Sequence, residues 1–309
     1  MPNYIPLHCH SHYSLLDGLS KPAQIASRLD ELGINTGALT DHGNISGSVS
    51  FVDAMEQKDK QPLLGCELYI CNEHATNKTP DNSKLQHLPI IAKNDSGWKQ
   101  LVKLTSASNF PEHFYHKPRL ALDQLGTFVD GDLMAFSGHL GSHISNSILQ
   151  GTEKPVDGWQ SRGRALAEWF RDTFGKENFY LEVQLMDRQY TPLQEVVAEC
   201  VRAISKQTNI PCVATPDAHY ARKEDALDQR ILICTNLRKT LTEMYDGGLL
   251  KCFFNSNNFH IPSYEEMIGY GHTEEELENT VNFASAISKY EHITGPPILP
   301  PFPCPKGMN

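Results

Sequence analysis

Short apolar runs recur along this chain, and polar or turn-forming residues bound each of them. Such runs are typical of buried strands when they span four to about eight residues. On this criterion the sequence predicts strands over residues 4–10, 36–40, 62–71, 88–92, 133–136, 179–184 and 211–215.

Between these runs the apolar residues recur at helical spacing. One stretch places Val49, Val52 and Met55 on one face, and a helix that begins near Lys223 carries Leu227 and Ile231. Further helices are predicted over residues 20–32, 98–104, 141–150, 159–174, 191–207, 264–270 and 273–290. Strands that alternate with helices indicate an α/β fold with a mostly parallel sheet, either open or closed.

The end of the chain has a different composition. Residues 296–305 contain six prolines, which exclude a helix or a central strand. We therefore expect one domain over residues 1–295, which includes the helices within 263–290, and a proline-rich exit linker over residues 296–309.

Metal-binding side chains lie at or near the ends of five predicted strands. They are His8 and His10, Asp41 and His42, Glu67, His139, and Asp217 and His219. In β/α barrels the functional residues lie at the carboxyl ends of the strands. His87 is an exception, because it begins its run instead of ending it.

The first of these groups, His8 and His10, leaves two interpretations open. Side chains two residues apart on a strand point to the same face, and Asp17 follows within one loop. The three side chains are a plausible metal site. The alternative is a strand with two hydrogen-bonded histidines.

Considered together, the polar groups favour metal binding. Six histidines and three carboxylates at one barrel mouth would be costly to bury without partners. The nine residues are His8, His10, Asp17, His42, Glu67, His87, His139, Asp217 and His219. So many ligands fit two or three divalent ions, and mixed imidazole and carboxylate ligands suit Zn, Mn or Fe. Such a cluster favours phosphoester hydrolysis, with amide hydrolysis as the competing chemistry.

Composition limits the class of protein. The 309 residues carry a net charge of −10, which argues against a broad electrostatic contact with duplex DNA. No apolar run approaches the roughly 20 residues that span a bilayer, and no export signal is visible. Eight scattered cysteines without a CxxC pair favour reduced thiols. We expect a cytoplasmic protein that does not contact a membrane.

Several motifs resemble one known family. They are LHCHSHYSLLDG, ALTDHGNISGSV, GCELYI, HLPIIAKN, HKPRL, AFSGHLGSHI and ATPDAHYARKEDA, followed by ILPPFP near the end. They are similar to the PHP (polymerase and histidinol phosphatase) domain, in the version that opens bacterial and phage DNA polymerase III alpha subunits.

This resemblance implies a fold, an activity and a ligand set. The implied fold is a distorted seven-stranded (β/α)7 barrel of the TIM-like kind, with a metal centre at the carboxyl ends of its strands. The family's ligand positions fall on the same nine residues, all of which are competent ligands here. His139 stands where the polymerase branch often has cysteine. The implied activity is metal-dependent 3′→5′ exonuclease proofreading.

The expected partners follow from the same resemblance. They are the 3′ end of DNA, single-stranded or at a primer terminus, and a polymerase domain or chain downstream. The catalytic aspartates of the polymerase lie in a separate domain, so this chain is not expected to polymerise. Four basic residues are candidates for phosphate contacts, namely Lys117, Arg119, Arg222 and Lys223.

Two alternatives to the exonuclease stay open. One is a small-molecule phosphatase of the histidinol-phosphate type. The other is a non-catalytic, metal-stabilised scaffold that supports a polymerase or an exonuclease partner.

Overall fold

A computed structural model of the chain describes residues 4–247, 256–296 and 299. The described strands form one curled sheet. They are β1 (Thr36–Leu39), β2 (Gln61–Cys71), β3 (Gln86–Ala92), β4 (Leu120–Ala121), β5 (Leu133–Phe136), β6 (Phe179–Val183) and β7 (Cys212–Ala214).

The order of strands across the sheet is β1-β2-β3-β5-β6-β7, and the short β4 pairs with the end of β2. Most neighbouring pairs are parallel, as the alternation of strands and helices predicts. Strand β3 is antiparallel to both of its neighbours, β2 and β5. Its amino-terminal end therefore lies at the same edge of the sheet as the carboxyl ends of the other strands.

The segment over residues 4–10 joins the two edges of this sheet. On one side it accepts hydrogen bonds from the β1 region, with Thr40 N 2.8 Å from the Cys9 carbonyl oxygen. On the other side His10 N donates to the Ala218 carbonyl oxygen at 2.7 Å. The sheet is thereby closed into a distorted barrel.

The prediction of a regular strand over residues 4–10 is wrong. Within this segment only Cys9 forms a bridge, and its partner is Ala218. Pro6 has no N–H to donate, so a continuous ladder cannot form there. The predicted consequence still holds, because His8 and His10 face the same side with ring centroids 5.1 Å apart.

Helices cover the outside of the sheet. They are α1 (Pro22–Glu31), α2 (Ser48–Glu56), α3 (Asp95–Ser108), α4 (Leu122–Leu125), α5 (His143–Leu149), α6 (Trp159–Phe174), α7 (Leu193–Thr208), α8 (Ala226–Leu237) and α9 (Leu241–Gly247), followed by helices Tyr264–Tyr270 and Glu274–Ser285. Asp81–Ser83 and Lys223–Asp225 are short 3-10 helices. No helix in the described ranges is long and apolar enough to cross a membrane.

One hydrophobic core extends from the amino-terminal segment to the last described helix. Tyr4, Phe136 and Phe179 are fully buried in it, and Phe283 from helix Glu274–Ser285 packs edge-on against Phe136. Helices beyond β7 therefore share the core of the barrel. The domain boundary at residue 295 stays a prediction, because the proline-rich stretch lies outside the described residues apart from Pro296 and Leu299.

Candidate metal centre

Glu67 lies at the centre of the nine predicted ligands. It lies in the interior of β2 and is fully buried. Five imidazole nitrogens surround its two carboxylate oxygens, namely His42 Nδ1 at 2.7 Å, His87 Nδ1 and His139 Nε2 at 3.1 Å, and His8 Nε2 and His10 Nε2 at 3.4 Å. The structure thus brings six of the nine residues together around one carboxylate.

Asp217 lies close to both His8 and His10. Its Oδ1 lies 3.2 Å from His10 Nε2 and 3.6 Å from His8 Nε2. The residue follows β7 and has a φ of +45°, a left-handed conformation that non-glycine residues seldom adopt. This conformation brings the Asp217 carbonyl oxygen within 2.8 Å of His219 Nδ1. The proton of His219 is then held on Nδ1, and Nε2 faces the centre.

Asp17 approaches the cluster from the loop after the amino-terminal segment. Its Oδ2 lies 3.0 Å from His42 Nε2 and 3.7 Å from His219 Nε2. Its side chain is 30% exposed, whereas Glu67 is completely enclosed. Asp17 therefore belongs to the open side of the centre, as its place in a loop predicts.

Strand direction explains the position of His87. In the antiparallel pairing of β2 and β3, His87 lies opposite Tyr69, two residues beyond Glu67. His139 is brought beside it by Gly138, which has a φ of +84° and packs so closely that a Cβ would lie 2.5 Å from the His87 carbonyl oxygen. Only glycine fits this close approach.

Asp41 follows β1 and supports the cluster indirectly, through hydrogen bonds to neighbouring residues. It is buried and accepts hydrogen bonds from the Ser11 amide at 2.7 Å and from the Ser14 hydroxyl at 2.8 Å. The Ser14 oxygen also lies 3.2 Å from His10 Nδ1. Asp41 therefore orients His10 through Ser14.

Several buried polar atoms of the cluster make no hydrogen bond of acceptable geometry within the described residues. They are His8 Nε2, His10 Nε2, His42 Nδ1, both oxygens of Glu67 and Asp217 Oδ1. Leaving such atoms without partners costs free energy, and divalent cations would satisfy them. The residues present therefore fit a metal centre.

Three overlapping sets of donor atoms lie within 4.8 Å of one another. They are His8, His10 and Asp217; His10, His42 and His219; and His42, Glu67 and His87. Because His10 and His42 each occur in two sets, the ligand atoms form one continuous cluster. Nitrogen and carboxylate oxygen donors in this number suit several ions of the zinc, manganese or iron type.

The protonation states of Glu67 and His10 favour cation binding, and each state has a physical cause. Burial raises the pKa of Glu67, but the imidazoles of His87, His42 and His8 outweigh it and hold that pKa well below its usual value. Burial lowers the pKa of His10 to about 3, with help from His42 and His219. Glu67 is therefore ionised and His10 neutral at pH 7, which are the forms that bind metals.

His42 behaves differently. Burial lowers its pKa, but the carboxylates of Glu67 and Asp17 on either side overcome this effect and raise the pKa to about 10. At pH 7 His42 therefore carries a proton, which a metal ion must displace before it can bind there. Metal binding at His42 consequently depends on pH.

A pocket of about 290 Å³ opens onto the cluster. Six of the nine residues line it, together with neutral side chains, and no lysine or arginine is among its described lining residues. The lining is formed by Asp17, His42, His87, His139, Leu140, Gly141, Gln184, Thr191, Gln194, Asp217, His219 and Phe259.

Lys117 is the predicted phosphate-binding residue that lies nearest to this centre. Its ammonium donates to the Tyr69 hydroxyl at 2.9 Å and stands 4.2 Å from the centroid of that ring. Burial lowers its pKa, while the charges of Asp17 and Glu67 oppose the shift. Lys117 is thus a cation held at the edge of the carboxylate cluster.

The geometry does not support substrate contacts by Arg119 or Arg222. Arg119 is fully buried and donates to three carbonyl oxygens of residues 75–82 at 2.7–2.9 Å, so it anchors that loop. Arg222 is paired with Glu31 on α1. Lys223 is exposed at the start of a 3-10 helix and does not line the pocket.

Sequence reasoning missed Glu182. It lies on β6, is buried, and has Oε1 2.7 Å from His8 Nδ1. The available signal was its place inside an apolar run, where an ionisable residue needs a buried partner.

The fold and the cluster together define a class of protein, a closed α/β barrel with a histidine and carboxylate centre at one mouth. The family model described as PHP domain matches residues 6–185. This chain belongs to the PHP domain family.

Curated relatives match nearly the whole chain. The DNA polymerase III subunit alpha of Borreliella burgdorferi is 35% identical over 309 residues, covering 99% of this chain and 25% of that protein. The same subunit of Treponema pallidum is 31% identical over 306 residues, covering 98% of this chain and 25% of that protein. This chain therefore spans about a quarter of the length of these relatives.

A solved structure of an amidohydrolase from Chromobacterium violaceum is 15% identical, with a TM-score of 0.45, over 70% of this chain and 87% of that one.

Proposed function

We propose that this domain hydrolyses phosphodiesters at the 3′ end of DNA, as a metal-dependent 3′→5′ exonuclease. The observation that carries the proposal is the set of buried nitrogen and oxygen atoms around Glu67 that lack hydrogen-bond partners in the described chain. A complete set of nine candidate ligands supports catalysis more than a purely structural role.

The ligands divide by position into three groups. His8, His10 and Asp217 would hold one ion at the inner end, and Asp17, His42 and His219 another at the open side. Glu67 would belong to a third group together with His87 and His139, because its Oε1 lies 3.1 Å from a nitrogen of each. Bound divalent ions supply Lewis acidity, lower the pKa of a coordinated water and neutralise phosphate charge.

Residues at the mouth that are not candidate ligands would contact the substrate. Lys117 would bind a phosphate oxygen as a point charge, at the edge where Asp17 opens to solvent. Leu140 and Phe259 give the pocket apolar walls that exclude water and that a terminal base could pack against. We also propose that a polymerase domain or chain downstream delivers the 3′ end, since the relatives are polymerase subunits.

The test is release of nucleotides from a 3′-labelled primer–template by protein loaded with Mn²⁺ or Zn²⁺. We expect release that stops with chelator and falls at least 100-fold in His8→Ala. His292→Ala is the matched control, because this side chain is 73% exposed and pairs only with Asp95 among the described residues. Absence of release from the loaded wild-type chain would refute the exonuclease.

One observation favours a second function, hydrolysis of a small phosphate ester. The pocket has a volume of about 290 Å³, suited to one small molecule, and lacks lysine and arginine in its described lining. A phosphatase of the histidinol-phosphate type would turn over histidinol phosphate faster than single-stranded DNA, so comparing the two substrates separates the hypotheses. A non-catalytic scaffold would show metal-dependent melting with neither activity.

A further inference from the structure

Glu182 contacts His8 on the side away from the metal centre. Its Oε1 lies 2.7 Å from His8 Nδ1, and both side chains are completely buried. Three donors hold this carboxylate oxygen in place, since the Thr215 hydroxyl and the Gln184 amide, at 3.0 Å, donate to it as well. The oxygen is therefore fixed before any ion binds.

The contact decides which nitrogen of His8 faces the centre. An ionised carboxylate only accepts, so His8 Nδ1 must carry a proton and donate it to Glu182. In the neutral ring Nε2 then carries a lone pair. This atom lies 3.4 Å from Glu67 Oε1 and 3.6 Å from Asp217 Oδ1 and makes no hydrogen bond within the described residues. When the ring is neutral, these three acceptor atoms face one another, so either a proton on Nε2 or a bound cation must lie between them.

Other predicted ligands have different neighbours at the ring nitrogen. The Nδ1 atom of His10 faces the neutral Ser14 hydroxyl, and that of His219 donates to a carbonyl oxygen. His42 lies between two carboxylates, but both belong to the predicted ligand set. His8 is thus paired with a carboxylate, Glu182, that is not itself a candidate ligand.

We propose that Glu182 is a positioning residue of the metal centre, which fixes the tautomer and ring orientation of His8 and strengthens its Nε2 as a ligand. This inference rests on the proposed metal centre but not on its substrate. Carboxylates that accept from a ligand histidine typically change metal affinity 10- to 100-fold. The ion held by His8, His10 and Asp217 is the one affected.

The experiment measures Zn²⁺ binding to the full chain by competition with a chromophoric chelator, after removal of all metal. In Glu182→Gln, which keeps the size of the side chain, we expect one class of sites to weaken roughly 10- to 100-fold. The remaining sites should keep their affinity. Visible absorption of the Co²⁺-loaded protein should change only in the band assigned to the weakened site.

Two comparisons separate positioning from a general effect on the fold. Glu276→Gln changes another buried carboxylate, which accepts hydrogen bonds from Arg202 and the Thr273 amide and lies beside His272, none of which is a candidate ligand. It should lower stability and leave all Zn²⁺ affinities unchanged. In a His8→Ala background, Glu182→Gln should have no further effect on affinity, because the residue acts through His8.

Each outcome is decisive. Unchanged Zn²⁺ affinity in Glu182→Gln, or an equal loss with and without His8, overturns the inference even if wild-type protein degrades DNA. If the variant does not fold, Thr215→Val loosens the same carboxylate and should weaken the same site by a smaller factor. A wild-type chain that binds Zn²⁺ with this dependence but releases no nucleotide overturns only the proposed function.

Discussion

His87 Nδ1 and His139 Nε2 lie 3.1 Å apart, although one residue begins an antiparallel strand and the other follows the end of a parallel one. The reversed direction of β3 brings them to the same mouth. Both nitrogens also lie 3.1 Å from Glu67 Oε1. The three atoms form a nearly equilateral triangle with a carboxylate at one corner, which is suited to hold one ion above it.

Glu67→Gln should lose more bound metal than any other single substitution in the centre. The amide keeps the shape but removes the charge shared by five imidazoles, and it introduces an N–H₂ group among them. We expect at least one equivalent fewer metal per chain by elemental analysis. Glu56→Gln, on the exposed end of α2, is the control. Full metal content in Glu67→Gln would contradict its central role.

His139→Cys should keep its metal, whereas His139→Ala should lose it. A thiolate is a good ligand for zinc and lies on a shorter side chain, so we expect a shifted but occupied site in the cysteine variant. Elemental analysis after dialysis measures both. Full metal content in both variants would show that position 139 does not coordinate.

Asp17→Asn and His8→Ala should disturb different ions. Asp17 approaches His42 and His219, whereas His8 approaches Glu67 and Asp217. Anomalous scattering from crystals of each variant, collected at the zinc, iron and manganese edges, should lack a different peak. Loss of the same peak from both variants would refute separate ions.

Arg119→Met should destabilise the fold and spare the chemistry. The substitution removes one donor from each of three carbonyl oxygens, at a cost of about 2–4 kcal/mol in the free energy of unfolding. Urea denaturation measures this loss. Lys117→Met is the contrasting variant, because we expect lower activity from it with little change in stability. An inactive, stable Arg119→Met would restore the substrate-binding hypothesis.

Acid should weaken the fold partly through Glu276. Burial raises the pKa of this carboxyl, but its hydrogen bonds with Arg202 and His272 lower it to about 2 in the folded state, against 4.5 as the ordinary value. The resulting stability is fully present above about pH 4.5 and is lost as the pH falls towards 2. It amounts to at most about 3 kcal/mol.

Glu276→Gln should therefore be less stable than wild type at pH 7, and the difference should shrink between pH 4.5 and 2. Urea denaturation of chelated protein at several pH values gives both curves. A constant difference across this range would mean that the carboxylate charge contributes nothing.

Periodicity predicted much of the architecture. The observed strand Leu133–Phe136 and helices Trp159–Phe174 and Tyr264–Tyr270 have the predicted bounds. These segments have strong patterns and clear turn residues at both ends. The helix predicted over residues 273–290 instead ends at Ser285, and beyond it Ile287 and Tyr290 pack against the core from a non-helical segment.

The site was predictable where it depended on residue type and order along the strands. The nine candidate ligands converge, even though β3 runs in the opposite direction, which no local pattern encodes. Arg119 was misjudged because a motif cannot distinguish an exposed cation from one that anchors a loop. Glu182 was missed because its partner, His8, is 174 residues away in sequence.

Closure of the barrel by residues 4–10 has a consequence for how the domain folds. His10 N bonds to Ala218 across more than 200 positions of sequence, so the two walls of the centre meet only when the last strand has docked. Contacts of such long range slow folding. We therefore expect metal uptake during refolding to follow the final, rate-limiting phase, with earlier intermediates holding only the ligands of β2 and β3.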